Sequence, residues 1–372
     1  MSKEKIVLCV VGARPNFMKI APIMRAFAEA KFARAVLVHT GQHYDEKMKH
    51  LFFDQLSIPQ PDIDLEVGSG SHAVQTAEVM KRFEPVIDEY KPSAILVVGD
   101  VNSTIACALV ASKKSVPVIH VEAGLRSYDR AMPEEINRVL TDQISDWLYT
   151  TEKSALDNLV KEGIDAKRVV FTGNVMIDTL MFNLKNAVAS ETTLAKYPKG
   201  QDISTHGEFA VVTMHRPSNV DNKEILASLL NTLSTVAQDI PIVFPVHPRT
   251  EKQISLFGLD SFFENDRILK IEPLGYLELL GLVSKAKVVL TDSGGIQEET
   301  TALGIPCITL RENTERPITA TEGTNVVVGT DREKILHAFK DVMNTGGKAG
   351  RVPELWDGRA AERIVSHIGG WL

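Results

Sequence analysis

At 372 residues, 44% of them hydrophobic, the chain exceeds what a single core usually serves, so two domains are expected. A formal charge of -7 argues against a nucleic-acid groove, which normally shows a basic domain or stripe, and leaves any acidic ligand to be met by local donors. Cys9, Cys107 and Cys307 stand far apart without metal or disulfide spacing, no apolar stretch approaches the ~20 residues of a membrane span, and residues 1–5 lead straight into a strand-like run. A cytoplasmic protein without membrane, nucleic-acid partner, metal or other cofactor is the expectation.

Short Val- and Ile-rich runs alternate with longer helix-period segments at 6–11, 35–39, 94–98, 116–121, 148–150 and 169–171. This is the rhythm of a parallel sheet with helices on both faces. Residues 187–208 hold Ser, Thr, Lys, Pro and Gly without periodicity and read as a linker or surface segment. A second series follows at 209–214, 242–246, 268–271, 288–290, 307–310 and 326–328. The expected fold is α/β, with two doubly wound Rossmann-like domains over 1–175 and 176–355. Ligands of such sheets bind at the carboxyl ends of the strands, which points to a cleft between the two. Residues 356–372 form a helix whose stripe of Ala360, Ala361, Ile364, Val365 and Ile368 packs back on the first domain or caps the second.

Chemistry-bearing residues gather at the strand ends. The first strand breaks at Gly12-Ala13-Arg14-Pro15, and Pro15 suits the first turn of a helix, so Arg14 and Lys19 flank that turn as candidate anion contacts. The third and fourth runs end in Asp100 and Glu122. An acid closing a buried parallel strand needs a fixed partner or a task, although Asp100 would also serve as the cap of a helix beginning near Ser103 and Thr104. Pro133 opens a further helix carrying Glu134, Glu135, Ile136, Val139, Leu140, Ile144 and Leu148, where one of the two acids is assigned to the helix dipole.

In the second series, Val212-Thr213-Met214-His215-Arg216 and Val246-His247-Pro248-Arg249 each end a strand with His and Arg, a pattern suited to phosphate. Val288-Val289-Leu290 leads through Asp292-Ser293-Gly294-Gly295 into a helix bearing Glu298 and Glu299. A strand, then Ser-Gly-Gly, then a helix start makes an anion cradle, and Glu299 is placed to accept hydrogen bonds from vicinal ribose hydroxyls. A nucleoside diphosphate is the natural occupant. Arg316 is expected to pair with a phosphate or to order Glu299, and Arg311 with Glu312 to form a surface pair of little energetic value.

Three carboxylates at one sheet edge exceed the single base that a sugar transferase requires. They suit inversion at C2 of a nucleotide sugar, where a base removes the C2 proton as the diphosphate leaves C1, and protonation from the other face accompanies its return.

Taken in order, Gly12-Ala13-Arg14-Pro15, Thr40-Gly41-Gln42-His43, Val98-Gly99-Asp100, His120-Val121-Glu122-Ala123-Gly124-Leu125-Arg126, Pro133-Glu134-Glu135, His215-Arg216, residues 292–299 and Thr314-Glu315-Arg316-Pro317 resemble the UDP-N-acetylglucosamine 2-epimerase family, of the non-hydrolysing type, from about residue 6 to 365. The resemblance implies the two-domain GT-B type fold, a UDP-sugar substrate, interconversion of UDP-N-acetylglucosamine and UDP-N-acetylmannosamine through 2-acetamidoglucal, and commonly a homodimer. It places acid/base roles on Asp100, Glu122 and Glu134, with His215 beside the diphosphate. It places UDP-sugar contacts on Arg14, Lys19, His215, Ser293, Gly294, Gly295, Glu299 and Arg316. Gln42, His43, Arg216 and His247 have counterparts in the second, regulatory nucleotide-sugar site of many bacterial members. The loop 126–132 is similar to a branch that includes epimerases of UDP-2,3-diacetamido-glucuronate, where Arg130 would face a C6 carboxylate or else pair with Asp129.

Overall fold

The computed structural model describes residues 4–41 and 58–372, with the backbone alone at 14, 15 and 206. Among these residues the chain divides into two compact units, residues 1–182 with 354–372 and residues 183–353. Each is built on one parallel sheet.

The first sheet runs in the order β3-β2-β1-β4-β5-β6-β7. Its strands are β1 (Ile6–Val11), β2 (Arg34–His39), β3 (Ile63–Asp64), β4 (Ala94–Val98), β5 (Val118–Val121), β6 (Trp147–Thr150) and β7 (Val169–Phe171). The central strands are apolar throughout because helices cover both faces: β4 is buried at every position. The covering helices are α1 (Arg14–Ala30), α2 (His72–Tyr90), α3 (Asn102–Lys113), α4 (Pro133–Ile144), α5 (Lys153–Lys161) and α6 (Val175–Leu184). Strand order reverses between β1 and β4, and at such a switch point the loops leaving two neighbouring strands diverge to opposite faces and open a crevice. Residues 12–13, leading into α1, and 99–101, leading into α3, are those loops.

The second unit starts with α7 (Ser190–Leu194) and α8 (Pro198–His206). The expected linker over 187–208 is thus corrected. Pro198 supplies the helix start, and Leu194 and Ile203 join the core cluster of Val211, Val243, Leu269 and Val289, a burial that the sparse apolar residues of this stretch do not advertise. Its sheet, β10-β9-β8-β11-β12-β13, is again entirely parallel and reverses between β8 and β11. The strands are β8 (Ala210–Thr213), β9 (Ile242–Pro245), β10 (Ile268–Ile271), β11 (Val288–Thr291), β12 (Cys307–Thr309) and β13 (Asn325–Val327). The helices between them are α9 (Pro217–Val220), α10 (Lys223–Asp239), α11 (Pro248–Phe257), α12 (Tyr276–Lys285), α13 (Gly294–Leu303), α14 (Pro317–Thr321) and α15 (Arg332–Thr345).

The last helix, α16 (Ala360–Trp371), belongs to the first unit and packs on α1. Its own N-cap, Arg359, makes no side-chain capping bond; instead Asp178 of α6 accepts from the N–H groups of Ala360 (3.0 Å) and Ala361 (2.7 Å). Burial lifts the Asp178 carboxyl to about 6, against the pull of these two donors. The Trp356 indole fixes the approach by donating to the carbonyl of Thr151 at 3.0 Å.

Candidate functional site

In the first unit Asn16 stitches the switch point together. Its side-chain oxygen accepts from the N–H groups of Gly12 (3.2 Å) and Ala13 (3.0 Å), and its Nδ2 donates to the carbonyl of Val98 at 3.0 Å. One turn along α1, Lys19 Nζ reaches Glu122 Oε1 at 2.7 Å, both side chains being buried. This approach requires Gly99, which has φ +66: a Cβ there would lie 2.7 Å from Lys19 Nζ. Glu122 itself has φ +72, a left-handed conformation costly for a side chain with a Cβ. Strain of this kind, on a buried acid at a strand end, makes Glu122 a candidate functional residue.

The other acids are tied to α4. This helix is inside out: Glu135, Arg138, Thr141 and Asp142 are buried while Ile136 and Leu140 are 43% and 49% exposed. Of the apolar residues read from the sequence, Ile136 and Leu140 thus face outward, Val139 is half-buried, Ile144 packs against the core, and Leu148, expected on the same helix, lies in β6. Arg138 holds Asp100 Oδ2 (2.7 Å) with one nitrogen and Glu135 Oε2 (2.6 Å) with another. Asp100 is accordingly no helix cap, since the N-cap of α3 is Val101 and makes no side-chain bond. Glu135 anchors the loop before α4, accepting from the N–H groups of Ser127 and Tyr128 at 2.9 Å each. Burial raises its carboxyl, but these donors and Arg138 bring it below the ordinary range. Glu134, in the same first turn, is half-buried. Asp142 accepts from His120 Nδ1 (2.7 Å), Arg126 (2.7 Å) and the Gly124 N–H (3.1 Å), fixing the loop that follows Glu122.

In the second unit β8 and β11 are neighbours, and Thr213 and Thr291 join them through their hydroxyls at 2.6 Å. Beyond that pair lies Asp292, fully buried. It accepts from the N–H groups of His215 (2.9 Å) and Arg216 (2.9 Å) and from Asn219 Nδ2 (3.2 Å), and faces His215 Nδ1 at 3.0 Å. Burial opposes its ionisation, yet the His215 ring and these donors hold it below the usual carboxylate range. With Nδ1 engaged by Asp292, the Nε2 edge of His215 is the one left to meet a ligand.

Ser293 is the N-cap of α13 and makes no side-chain capping bond, so its hydroxyl and the first-turn N–H groups are candidate donors to an anion. Glu299 is buried in α13; burial, with Glu298 adding and the Tyr276 hydroxyl opposing, lifts it to about 7. Arg316 does not order Glu299. Its Nε pairs with Glu298 Oε1 at 2.8 Å. Nor is Arg311 a surface partner of Glu312: it is buried, with NH1 2.8 Å from Glu315 Oε2, while Glu312 accepts from the Thr330 N–H at 3.4 Å. Arg216 NH2 approaches Glu315 Oε1 at 3.4 Å, and the His247 ring lies 5.4 Å from that of His215 while its Nδ1 caps α11.

The sequence profile of the UDP-N-acetylglucosamine 2-epimerase family matches residues 25–369. The chain belongs to that family. It is 41% identical to the UDP-N-acetylglucosamine 2-epimerase of Methanococcus maripaludis, over 97% of each chain. It is 39% identical to the UDP-2,3-diacetamido-2,3-dideoxy-D-glucuronate 2-epimerase of Pseudomonas aeruginosa, over 97% of this chain and 99% of the relative. The crystal structure of the Methanocaldococcus jannaschii UDP-GlcNAc 2-epimerase with UDP-GlcNAc and UDP superposes with a TM-score of 0.85 at 40% identity, covering 98% of this chain and 99% of that one.

For this epimerase-family chain, the structure brings Lys19, Asp100 and Glu122 to one switch point, and His215, Ser293 and Gly294 to the other. The Arg14 side chain and all of Gln42 and His43 lie outside the described residues. Sequence reasoning missed the residues that hold the site: Asn16, Arg138, Asp142, Asp292 and Glu315. Charged residues recurring at helical spacing in 135, 138 and 142 were the available signal. Among the described residues no group of three His, Cys, Asp or Glu is placed to hold a metal, and no helix is long and apolar enough to cross a membrane.

Proposed function

We propose that the chain inverts C2 of a UDP-2-acetamido sugar, converting UDP-N-acetylglucosamine to UDP-N-acetylmannosamine by elimination and re-addition of UDP. The observation that carries the reading is Glu122, a buried acid in a left-handed backbone conformation at a strand end, 2.7 Å from Lys19 Nζ. A base removes the C2 proton while the C1–O bond to UDP breaks, its electrons leaving with the diphosphate, and 2-acetamidoglucal results. A second acid on the other face returns a proton to C2 as UDP re-adds to C1. Asp100 and Glu134 are the remaining acid/base candidates. His215, Ser293, Gly294 and Gly295 hold the departing diphosphate, and Glu299 the ribose.

Incubation with UDP-N-acetylglucosamine in D2O should place deuterium at C2 of the recovered sugar, read by NMR. Accumulation of free N-acetylmannosamine and UDP would instead indicate a hydrolysing enzyme, and sugar transfer to an added acceptor without C2 exchange a glycosyltransferase. Glu122→Gln is expected to lower exchange by at least about a hundredfold with UDP affinity nearly unchanged; loss of UDP binding in that variant would reverse the division of labour.

A second reading, epimerisation of a UDP-2,3-diacetamido-glucuronate, is favoured by Arg130. It is exposed, and Asp129, its expected partner, accepts instead from the Ala131 N–H at 3.0 Å. The same D2O experiment on that sugar decides between the substrates.

A further inference from the structure

Glu315, within the Thr314-Glu315-Arg316-Pro317 stretch, takes no part in the reading above, yet it puts a carboxylate against the candidate anion cradle. A Cβ built on Gly294 would lie 2.9 Å from Glu315 Oε1, so the missing side chain at 294 is what lets this acid approach the start of α13. A carboxylate there would by itself repel a phosphate. It is outnumbered: Arg311 NH1 stands 2.8 Å from Oε2, Arg216 NH2 3.4 Å from Oε1, and Arg316 is close enough to act on its charge. Burial disfavours the ionised acid, but Arg316, Arg311 and Arg216 together hold it down at about 2, so it stays charged throughout the working range. Arg311 is almost entirely buried and has no surface role that would explain it. The segment is held in register by Thr314, whose hydroxyl donates to Gln297 Oε1 at 2.7 Å and accepts from the Arg316 N–H at 3.0 Å.

We propose that Glu315 is a positioning residue for the diphosphate, gathering Arg311 and Arg216 on one carboxylate beside Gly294 so that their guanidinium groups are already oriented when the anion arrives. The assignment rests on the reading of Ser293 and Gly294 as a UDP cradle. Its physical content is preorganisation: long cationic side chains that would otherwise be ordered by the ligand are ordered by the protein. Excess positive charge remains after the acid is neutralised, and the diphosphate takes it up.

The test compares UDP with uridine, which carries the same base and ribose but no phosphate, by calorimetry and ligand-observed NMR on the full chain. The unaltered protein should hold UDP more tightly than uridine. Glu315→Gln keeps the shape and an acceptor oxygen but loses the charge that gathers the arginines; it should weaken UDP by at least about tenfold and leave uridine unchanged within about twofold. Arg311→Gln should do the same, and the double variant should lose little more than the worse single one, because both act through one pair. Should Glu315→Gln fail to fold, Arg311→Gln carries the comparison alone. Retention of UDP affinity in both variants overturns the assignment, as does a parallel loss of UDP and uridine, which would make the residue merely structural. If the unaltered chain held UDP no better than uridine, the cradle reading would fall, and this assignment with it.

Discussion

Lys19 and Glu122 are a buried ion pair, with side chains 6% and 1% exposed, and the consequence of removing one partner differs from that of removing both. Lys19→Met leaves an uncompensated carboxylate and should cost about 3–5 kcal/mol in urea unfolding, whereas Lys19→Met with Glu122→Gln should recover part of that loss. A double variant no more stable than Lys19→Met would show that the pair is not what the stability responds to. Glu299 gives a pH signature. Its folded value of about 7 lies above the unfolded value of about 4.3, so the folded chain binds the extra proton between them. The stability this group contributes is therefore fully present below about pH 4.3 and lost as pH rises through 7, a change on the order of 3 kcal/mol. Glu299→Gln should flatten the stability profile between about pH 4.3 and 7; an unchanged slope would place the titration elsewhere. At this scale the acids and the cradle were legible because chemistry-bearing residues at strand ends stand out in a linear reading. Their holders were not. Arg138 meets Asp100 and Asp292 meets His215 across separations that no local spacing encodes.

Elements were more legible than residues. Each run named in the two series overlaps a strand, since strands buried on both faces read as continuous apolar stretches. The exceptions have specific causes. β3 has two residues, too few to show a period, and α7 and α8 each bury one apolar side chain in the core, Leu194 and Ile203. Helix α4 was located but its buried face was not, because periodicity reports that a helix has two faces and not which one a buried network of Glu135, Arg138 and Asp142 will claim. Helix α16 behaves in the ordinary manner, with Ile364 wholly buried against the first unit. Ile364→Ala should cost about 2–5 kcal/mol by the same unfolding assay, and a cost below about 1 kcal/mol would mean that the helix is dispensable to that unit.

For the whole molecule, the doubly wound character of both units could be read from the alternation of strand and helix, while the assignment of the last helix could not. Its apolar stripe fits any open surface. What decides the matter is Asp178, whose carboxylate caps α16 from 182 residues upstream, together with Trp356 and Thr151. The chain leaves the first unit after Phe182 and re-enters it only at Glu354, with the entire second unit between. During synthesis on the ribosome this order matters. Residues 183–353 are made before α16 and can close their own core while the side of α1 that receives α16 is still bare, so an arrest between the two leaves the second unit whole and the first without the helix that covers α1.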